Sequence, residues 1–569
     1  MIKNKSLFLL YILFVFGYLY TGCQSANSGK YISVTDFGAI ANDDKDDLEA
    51  FRKALDVCRN NLGTKLYIAP GSYNIRDEKA LEYEYKAING QYGEDVQGYF
   101  FKPKAGYVIG LDMDGLKNVT IEAAGVTIVQ EGWYEAVSIT NAKNVIIRGL
   151  KLVHKRPPFT AGEIIESKAD YFDMRIDTVK YPYLTDKITG RIHYYDNNKQ
   201  RIYTGGRVMK KELIDPQTIR VYSNMNPALG DFCILRHCGH SRAGILIKES
   251  SDITLEDVTI HSQPGMGVVG HRSENILMKN LQIIPAVNTV TSTNTDATHF
   301  TSCKGKIVFD GCKFGGQGDD CTNIHNYYWT IYKDIDPKSI TITVEKADLH
   351  ALSLDFPDVG DSIALVSKEN LSPVAYFRTE KVFTSLDDWK VVITLDKDFN
   401  YEPEKYYMTN MTRRPAVDIL NNTVRSHMAR AFLIKTNNVR IAGNVIQNSS
   451  GSAIQLGAEA SWRESGPVEN ILIENNWIIG CGYGHGTQKG TVVSAEVNGI
   501  RTKADILNRK IIIRNNVIEA EGKSAIYISD AKDIEIYNNE IFGSENAVHI
   551  KNSEAYEIND NGTLPVIIE

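Results

Sequence analysis

The sequence lacks the features of a nucleic-acid-binding or membrane-spanning protein. Its 63 Lys and Arg are outnumbered by 70 Asp and Glu, which leaves a net charge of −7. Nucleic-acid-binding surfaces usually show an excess of basic residues, so no nucleic-acid partner is predicted. The apolar run over residues 7–20 is shorter than the roughly 20 apolar residues that a membrane-spanning helix needs. We therefore interpret that run as a targeting segment.

The flanks of this run indicate export. Lys3 and Lys5 precede it, and Gly22-Cys23 follows it. A small residue directly before a cysteine, after such a run, resembles a bacterial lipoprotein signal. We predict a signal peptide over residues 1–22 and lipidation of Cys23, which would anchor the protein in the bacterial cell envelope, in the periplasm or at the outer-membrane surface. Ordinary signal-peptide cleavage nearby is the alternative.

Cysteine is also scarce beyond Cys23. Seven cysteines remain, and an odd number cannot all pair within one chain. They lack histidines at metal-ligand spacing, so neither a metal nor another cofactor is predicted. Free cysteines commonly act as small core residues, and we expect most of these to be buried. They are Cys58, Cys233, Cys238, Cys303, Cys312, Cys321 and Cys481.

What the sequence does have is a short repeat of alternating apolar residues interrupted by Asn or Gly. Two repeats begin at Ile253 and Ile276, 23 residues apart, while Asn422 and Asn444 are 22 apart. A period of about 22 residues with β-branched strands is typical of a solenoid. The leucine-dense consensus of leucine-rich repeats is absent. The fold class predicted is all-β, a right-handed parallel β-helix, with asparagines stacked in ladders at one turn.

Three stretches depart from the repeat. Leu48, Phe51 and Leu55 follow a helical spacing, which predicts an N-terminal helix that caps the first coil. Residues 155–240 and 327–415 are predicted to be two small β-modules inserted between coils, because structureless loops of that length are improbable in a compact protein. The predicted order after the signal peptide is cap and first coils (23–154), first module (155–240), central coils (241–326), second module (327–415) and C-terminal coils (416–569).

A cluster of aspartates is the candidate catalytic site. Asp296 lies 23 residues before Asp319, and Asp320 follows directly. One coil apart, the backbones of Asp296 and Asp319 would be about 4.8 Å from each other. The glycines before Asp319 indicate a turn, where we expect both carboxylates of the pair to face solvent. Neighbouring acids raise one another's pKa, which supplies the protonated acid and the ionised carboxylate that glycoside hydrolysis needs. Calcium binding, or a solvated acidic turn, is the alternative.

The phrases around these acids carry a family resemblance. Asn294-Thr-Asp296 followed by Gly318-Asp-Asp320 resembles the acid motifs of glycoside hydrolase family 28, the polygalacturonases. Four longer phrases are more similar to glycoside hydrolase family 110, the exo-acting α-1,3-galactosidases. They are Asp296-Ala-Thr-His-Phe300, Asp310-Gly-Cys-Lys-Phe314, Gly318-Asp-Asp-Cys-Thr-Asn-Ile-His325 and Trp462-Arg-Glu-Ser-Gly-Pro-Val468.

The resemblance implies an inverting mechanism on a terminal α-1,3-linked galactose, as in blood-group-B-type branched or linear glycans. In it Asp319 is the general acid, and Asp296 and Asp320 activate the water. Inversion in turn predicts an acid-to-base separation of about 6.5–9.5 Å. The oligomeric state is not predicted.

Other residues are candidates for binding substrate. His325 is expected to bond a sugar hydroxyl, Trp462 to form a sugar platform and Glu464 to accept from a hydroxyl; each has a structural alternative. Arg430 and Lys435 distantly resemble the pair with which polygalacturonases hold a uronate, but their spacing is wider. A neutral sugar is therefore favoured. A calcium-dependent polysaccharide lyase and a non-catalytic glycan-binding solenoid remain open as other classes.

Overall fold

The computed structural model describes residues 30–92, 107–182, 191–343, 354–385, 390–484, 491–499 and 505–569. Cys23 and the predicted signal peptide lie outside these ranges. Among the helices within them, none is both long and apolar enough to cross a bilayer.

The chain forms a right-handed parallel β-helix, which confirms the predicted fold class. Two faces of the coil belong to a 22-stranded parallel sheet and the third to a 13-stranded sheet. The strands of the first sheet are Tyr31–Ser33, Lys65–Tyr67, Gly71–Arg76, Lys117–Glu131, Lys143–His154, Ser251–Glu256, Thr259–Ile260, Glu274–Lys279, Gln282–Ile283, Lys304–Asp310, Lys313–Gly315, Ala416–Leu420, Thr423–His427, Asn437–Ala442, Val445–Ser449, Glu469–Glu474, Trp477–Cys481, Asn508–Arg514, Val517–Ala520, Ala531–Tyr537, Glu540–Phe542 and Glu554–Asn559.

The second sheet carries the face on which the candidate site lies. Within the described residues it has twelve parallel strands and one short antiparallel strand, Glu464–Ser465. The antiparallel strand pairs with the end of the strand Thr322–Tyr327. The parallel strands are Ile109–Asp112, Glu135–Thr140, Ile245–Lys248, Val268–His271, Thr298–Thr301, Thr322–Tyr327, Phe432–Ile434, Ile454–Leu456, Val493–Ala495, Ser524–Ser529, Asn546–Lys551 and Val566–Ile568.

The core runs along the axis of the solenoid because alternate strand residues point inward. One position is occupied by a buried aliphatic residue on each of ten successive coils, so the repeat seen in the sequence becomes a stacked column in space. Its members are Val119, Val145, Ile253, Ile276, Ile307, Val417, Val439, Ile471, Ile511 and Ile534. The seven cysteines are free and buried, as predicted.

The predicted asparagine ladder forms at one turn of the C-terminal coils. Each side-chain amide donates to the side-chain oxygen of the asparagine one coil further along, at 2.8–2.9 Å. Because an amide both donates and accepts, every buried step is satisfied. The ladder comprises Asn422, Asn444, Asn476, Asn516, Asn539 and Asn561.

The remaining elements cap or interrupt the solenoid. The predicted N-terminal helix spans Leu48–Asn60 and buries the apolar face of its sequence; a second helix spans Glu78–Ile88. Short 3-10 helices span Val34–Phe37, Pro403–Lys405 and Ala460–Trp462.

Both predicted insertions are small antiparallel modules. The first is a closed barrel of six strands: Phe159–Ser167, Tyr171–Ile176, Arg191–Asp196, Arg201–Asp215, Thr218–Ser223 and Phe232–Arg236. The second is a six-stranded sheet: Thr330–Lys333, Ser339–Thr343, Ser362–Ser367, Pro373–Ser385, Lys390–Leu395 and Tyr406–Asn410. Each has its own apolar core.

Candidate active site

The register of two neighbouring strands sets which aspartates stack. Thr298 pairs with Thr322, and the Ala297 amide donates to the Asp320 carbonyl at 2.9 Å. The coil here is therefore 24 residues long, and Asp296 lies beside Asp320 in register. The expectation that Asp319 occupies the equivalent position was wrong by one residue, because coil length varies along this solenoid.

The three predicted acids nevertheless converge. One carboxylate oxygen from each of Asp296, Asp319 and Asp320 lies within 4.8 Å of the others. Asp296 and Asp320 are buried, whereas Asp319 is partly exposed. The prediction that both members of the Asp-Asp pair face solvent therefore fails for Asp320. Carboxylates this close are suited to sharing protons, and could equally be drawn together around a divalent cation.

Asp320 is buried because the next coil covers it. Arg430 lies 3.1 Å from Asp320 Oδ2 through Nη2, and its backbone N–H donates to Asp320 Oδ1 at 2.8 Å. The Cys321 amide in turn donates to the Arg430 carbonyl, which places Arg430 in register with Asp320. Arg430, expected to bind substrate, is thus engaged with an acid of the cluster.

Burial dominates the electrostatics of the cluster. It raises the pKa of Asp296 well above the ordinary aspartate value, and the neighbouring charge of Asp319 raises it further. Burial also raises the pKa of Asp320; Arg430 opposes that rise, while the other two acids add to it. Groups whose environments push their pKa values away from the ordinary range are typical of acid-base sites, although structural ion pairs produce the same effect.

Two histidines continue from the cluster into the protein. His299 Nδ1 lies 2.7 Å from Asp296 Oδ2, and His299 Nε2 lies 2.9 Å from His325 Nε2. Burial lowers the pKa of His299 to about 4 and that of His325 to about 3. His325 therefore contacts His299 in this structure, and both rings are neutral near pH 7.

A second charged cluster, centred on Lys435, adjoins the histidines. Lys435 Nζ lies 2.6 Å from Glu464 Oε2 and 2.9 Å from Glu459 Oε2, with its side chain fully buried. Glu464 also accepts from Asn323 Nδ2 at 3.2 Å and lies 3.7 Å from His325 Nε2. Burial alone would raise the pKa of Glu464, but the charge and hydrogen bond of Lys435 lower it well below its usual range.

Glu464 reaches this position because its loop folds back over the sheet. The short strand Glu464–Ser465 pairs with Asn326 and Tyr327 in antiparallel fashion, and Arg463 bonds Tyr407 of the second module. Trp462 lies two residues before Glu464 in the same loop and is 56% exposed. The loop therefore holds an acid inside the site and an aromatic ring at the surface.

The first module is attached to the segment that carries Asp296. Asn294 is buried, and its amide donates to the carbonyls of Pro158 and Cys238 at 3.3 and 3.2 Å. Arg236, in the last strand of the module, donates to the Asn294 carbonyl. The first residue of the Asn-Thr-Asp motif is thus engaged in fixing the backbone before Asp296.

Glu459 and Asn323 were not predicted as site residues, and Lys435 was noted only for its resemblance to a uronate-binding pair. Asn323 is in register with His299, so a correct coil length would have found it. Lys435 immediately follows Ile434, which pairs with Ile324, so Lys435 is in register with His325 on the neighbouring coil. Glu459 lies in a loop whose fold-back no local pattern predicts.

The spacing of the acids is shorter than inversion was expected to require. Their nearest oxygens lie within 4.8 Å of one another, against the about 6.5–9.5 Å typical of an inverting acid and base. Any assignment of the stereochemical course therefore depends on similarity to other enzymes rather than on this spacing.

The match to a family model concerns the fold over part of the chain. Residues 407–562 match the family model described as a right-handed beta helix region. A family 28 exopolygalacturonase from Yersinia enterocolitica superposes with a TM-score of 0.37 and 11% identity, covering 94% of this chain and 79% of that one.

Curated relatives then give the more particular resemblance. The chain is 26% identical to alpha-1,3-galactosidase B of Bacteroides thetaiotaomicron, covering 80% of this chain and 76% of that protein. It is 25% identical to alpha-1,3-galactosidase A of Bacteroides fragilis, covering 97% and 94%. These matches confirm the resemblance to the α-1,3-galactosidases over most of the chain.

Proposed function

We propose that this protein is an exo-acting glycoside hydrolase that releases terminal α-1,3-linked galactose from branched or linear glycans. The observation that carries the proposal is the convergence of Asp296, Asp319 and Asp320 within 4.8 Å, in a chain similar to α-1,3-galactosidases along 97% of its length. Hydrolysis of a glycosidic bond needs a protonated and an ionised carboxyl group, which a crowded, buried set of acids provides.

The roles are those that the family resemblance implies, and the exposure and pairing of the three acids are consistent with them. Asp319 is the partly exposed member and is the proposed general acid, which protonates the leaving oxygen. Asp296 and Asp320 lie deeper and activate the water that attacks the anomeric carbon. Inversion of that carbon is carried over from the family resemblance.

The charges around the cluster favour a neutral sugar. Arg430 faces Asp320, and Lys435 faces Glu459 and Glu464, so both cations are already engaged with carboxylates. A uronate would have to compete with those carboxylates in a site rich in acids. Glu464 and Trp462 remain the proposed contacts to a substrate hydroxyl and to the sugar face. His325 was expected to bond a hydroxyl, but its two ring nitrogens are engaged with His299 and the Asn326 carbonyl.

The direct test is incubation with terminal α-1,3-, α-1,4- and α-1,6-linked galactosides and with oligogalacturonate, followed by NMR of the released sugar. Release of galactose from the α-1,3 substrate alone, first as the β-anomer, is expected. An α-anomer formed first would contradict inversion, and release only from oligogalacturonate would contradict the substrate.

Two other classes give different outcomes in the same experiment. A calcium-dependent lyase would form an unsaturated product from oligogalacturonate and lose activity with a chelator. A glycan-binding solenoid would bind the α-1,3 galactoside and release nothing. Either result would reject the hydrolase proposal.

We further propose that Cys23 carries a lipid that holds the enzyme in the bacterial cell envelope. Labelling with a fatty-acid analogue during expression should mark the wild-type protein and leave Cys23→Ser unmarked. Equal labelling of both would contradict the anchor.

A further inference from the structure

A chain of three hydrogen bonds leads from Asp296 to a backbone carbonyl. Asp296 Oδ2 lies 2.7 Å from His299 Nδ1, and His299 Nε2 lies 2.9 Å from His325 Nε2. His325 Nδ1 then lies 2.8 Å from the Asn326 carbonyl oxygen. All three side chains are buried, so each contact requires one hydrogen between its two atoms.

The direction of donation along these three hydrogen bonds follows from the last acceptor, the Asn326 carbonyl. A carbonyl oxygen can only accept, so His325 carries a hydrogen on Nδ1, and in the neutral ring its Nε2 must accept. His299 therefore donates from Nε2, and the Nδ1 of a neutral His299 must accept as well. The hydrogen in the last contact then belongs to Asp296 Oδ2.

Two other arrangements keep all three hydrogen bonds, but both place a positive charge on a buried imidazole. The charged groups facing the chain partly cancel: Glu464 favours a charged histidine, while Lys435 opposes it. Burial is the largest influence and lowers the pKa of both histidines, to about 4 for His299 and about 3 for His325. Burial, Asp319 and Glu464 raise the pKa of Asp296, while Arg430 and a backbone hydrogen bond from Asp320 lower it. The shared proton therefore rests on Asp296.

Asp320 shares the burial that raises the pKa of Asp296, but its contacts are different. It accepts from the Arg430 backbone N–H at 2.8 Å and faces the Arg430 guanidinium at 3.1 Å. Both contacts favour the ionised carboxylate. Of the two deep acids, only Asp320 faces a guanidinium at 3.1 Å, whereas Asp296 Oδ2 faces a ring nitrogen of His299.

We propose that His299 and His325 form a tautomer lock that keeps Asp296 protonated, so that Asp320 alone is the base that deprotonates the attacking water. This inference rests on the proposed glycoside hydrolysis and deepens it. The water oxygen bonds to the anomeric carbon while its proton passes to Asp320. The bond from that carbon to the leaving oxygen breaks, and Asp319 protonates the oxygen. Asp296 orients the water as a neutral group, and the histidines are positioning residues.

The lock can be tested in the resting protein, independently of any activity. In full-length protein labelled with 15N-histidine, we expect neutral rings near pH 7, with the hydrogen on Nδ1 of His325 and on Nε2 of His299. The variants His299→Asn and His325→Gln assign the signals. An imidazolium signal for either ring, or the reverse tautomer, would overturn the lock even if no galactoside is hydrolysed.

Kinetics then test the division between the two deep acids. The amide of Asp296→Asn can donate to His299 Nδ1 as the protonated carboxyl does, so we expect a loss of only about tenfold in kcat. Asp320→Asn removes the base and is expected to cost about 10²–10⁴-fold. Losses of equal size would overturn the assignment. Failure of the wild type to release galactose would instead reject the proposed function.

The pH profile separates the lock from a merely structural role. His325→Gln keeps a polar group beside His299, but its amide can donate as well as accept, so Asp296 can ionise with His299 donating to it. We expect the alkaline limb of the kcat/KM profile of His325→Gln to move to lower pH. In the Asp296→Asn background, adding His325→Gln should leave this limb where it is. A uniform loss with an unmoved limb would overturn the proposal.

Discussion

Two rows of polar side chains cross neighbouring coils of the same solenoid and behave in opposite ways. In the asparagine ladder each amide donates to the next at 2.8–2.9 Å, and each also accepts, so stacking satisfies every member. In the acid row Asp296 stacks beside Asp320, and two ionised carboxylates can only accept. The same repeat geometry therefore stabilises amides and raises the pKa of acids. A stack that costs stability at this position is expected of a reactive site rather than of a structural one.

The largest effect should come from removing the proposed acid. Asp319→Asn keeps the size of the side chain but cannot protonate the leaving oxygen, so we expect kcat to fall by about 10²–10⁴-fold. Asp533→Asn is the matched control, because Asp533 is exposed on another face and has φ 59°, a conformation that asparagine accepts. Steady-state hydrolysis of an α-1,3 galactoside measures kcat for Asp319→Asn and for Asp533→Asn. An unchanged rate for Asp319→Asn would remove it from the mechanism.

The contacts that repeat along the solenoid were predictable from the sequence, whereas the irregular contacts of the site were not. Apolar alternation and the recurring asparagines sufficed for the solenoid and the ladder, because both depend on contacts repeated at every coil. The partner of Asp296 was misjudged because one coil is 24 residues long rather than 23. Glu459 was missed because it reaches Lys435 from a loop. Burial of Asp320 under Arg430 depends on a coil that follows an entire inserted module, so local sequence gave no sign of it.

Replacing one ladder asparagine with aspartate should make the ladder unfavourable for stability, as the acid row is. Asn476 donates to the Ile441 carbonyl and to Asn516 Oδ1, both at 2.9 Å. In Asn476→Asp the ionised form loses both donors, and we expect the free energy of unfolding at pH 7 to fall by about 3 kcal/mol, since each buried unsatisfied group costs about 1–3 kcal/mol. Denaturant unfolding measures it.

The pH dependence of this variant has a definite sign. Burial should raise the folded-state pKa of the new carboxyl above its unfolded value of about 3.9, so the folded protein binds more protons. The destabilisation should therefore grow as the pH rises above about 4. Asn198→Asp, in an exposed turn, is the control. A loss of stability that is the same at pH 4 and pH 7 would contradict a buried, neutralised carboxyl.

A smaller effect should distinguish the surfaces beside the two rows. Trp462 is 56% exposed near Glu464, whereas Trp477 is 53% exposed next to the ladder residue Asn476. If Trp462 is a sugar platform, Trp462→Ala should raise KM by about tenfold and keep kcat within about twofold, the pattern of lost ground-state binding. Trp477→Ala should leave both unchanged. Equal effects of the two substitutions would mean that Trp462 contributes only to the fold.

The smallest expected effect is on stability alone. It comes from Asp296→Asn, the reverse of the substitution proposed for the ladder. Burial raises the folded-state pKa of Asp296, so the unfolded chain gains stability by ionising this residue as the pH rises above about 4 while the folded chain stays protonated. Asn at this position ionises in neither state and can still donate to His299. Asp296→Asn should therefore unfold at a higher temperature than the wild type at pH 7, with the difference vanishing near pH 4. A lower melting temperature at pH 7 would mean that the acid row is held by favourable charge interactions, and the contrast with the asparagine ladder would be lost.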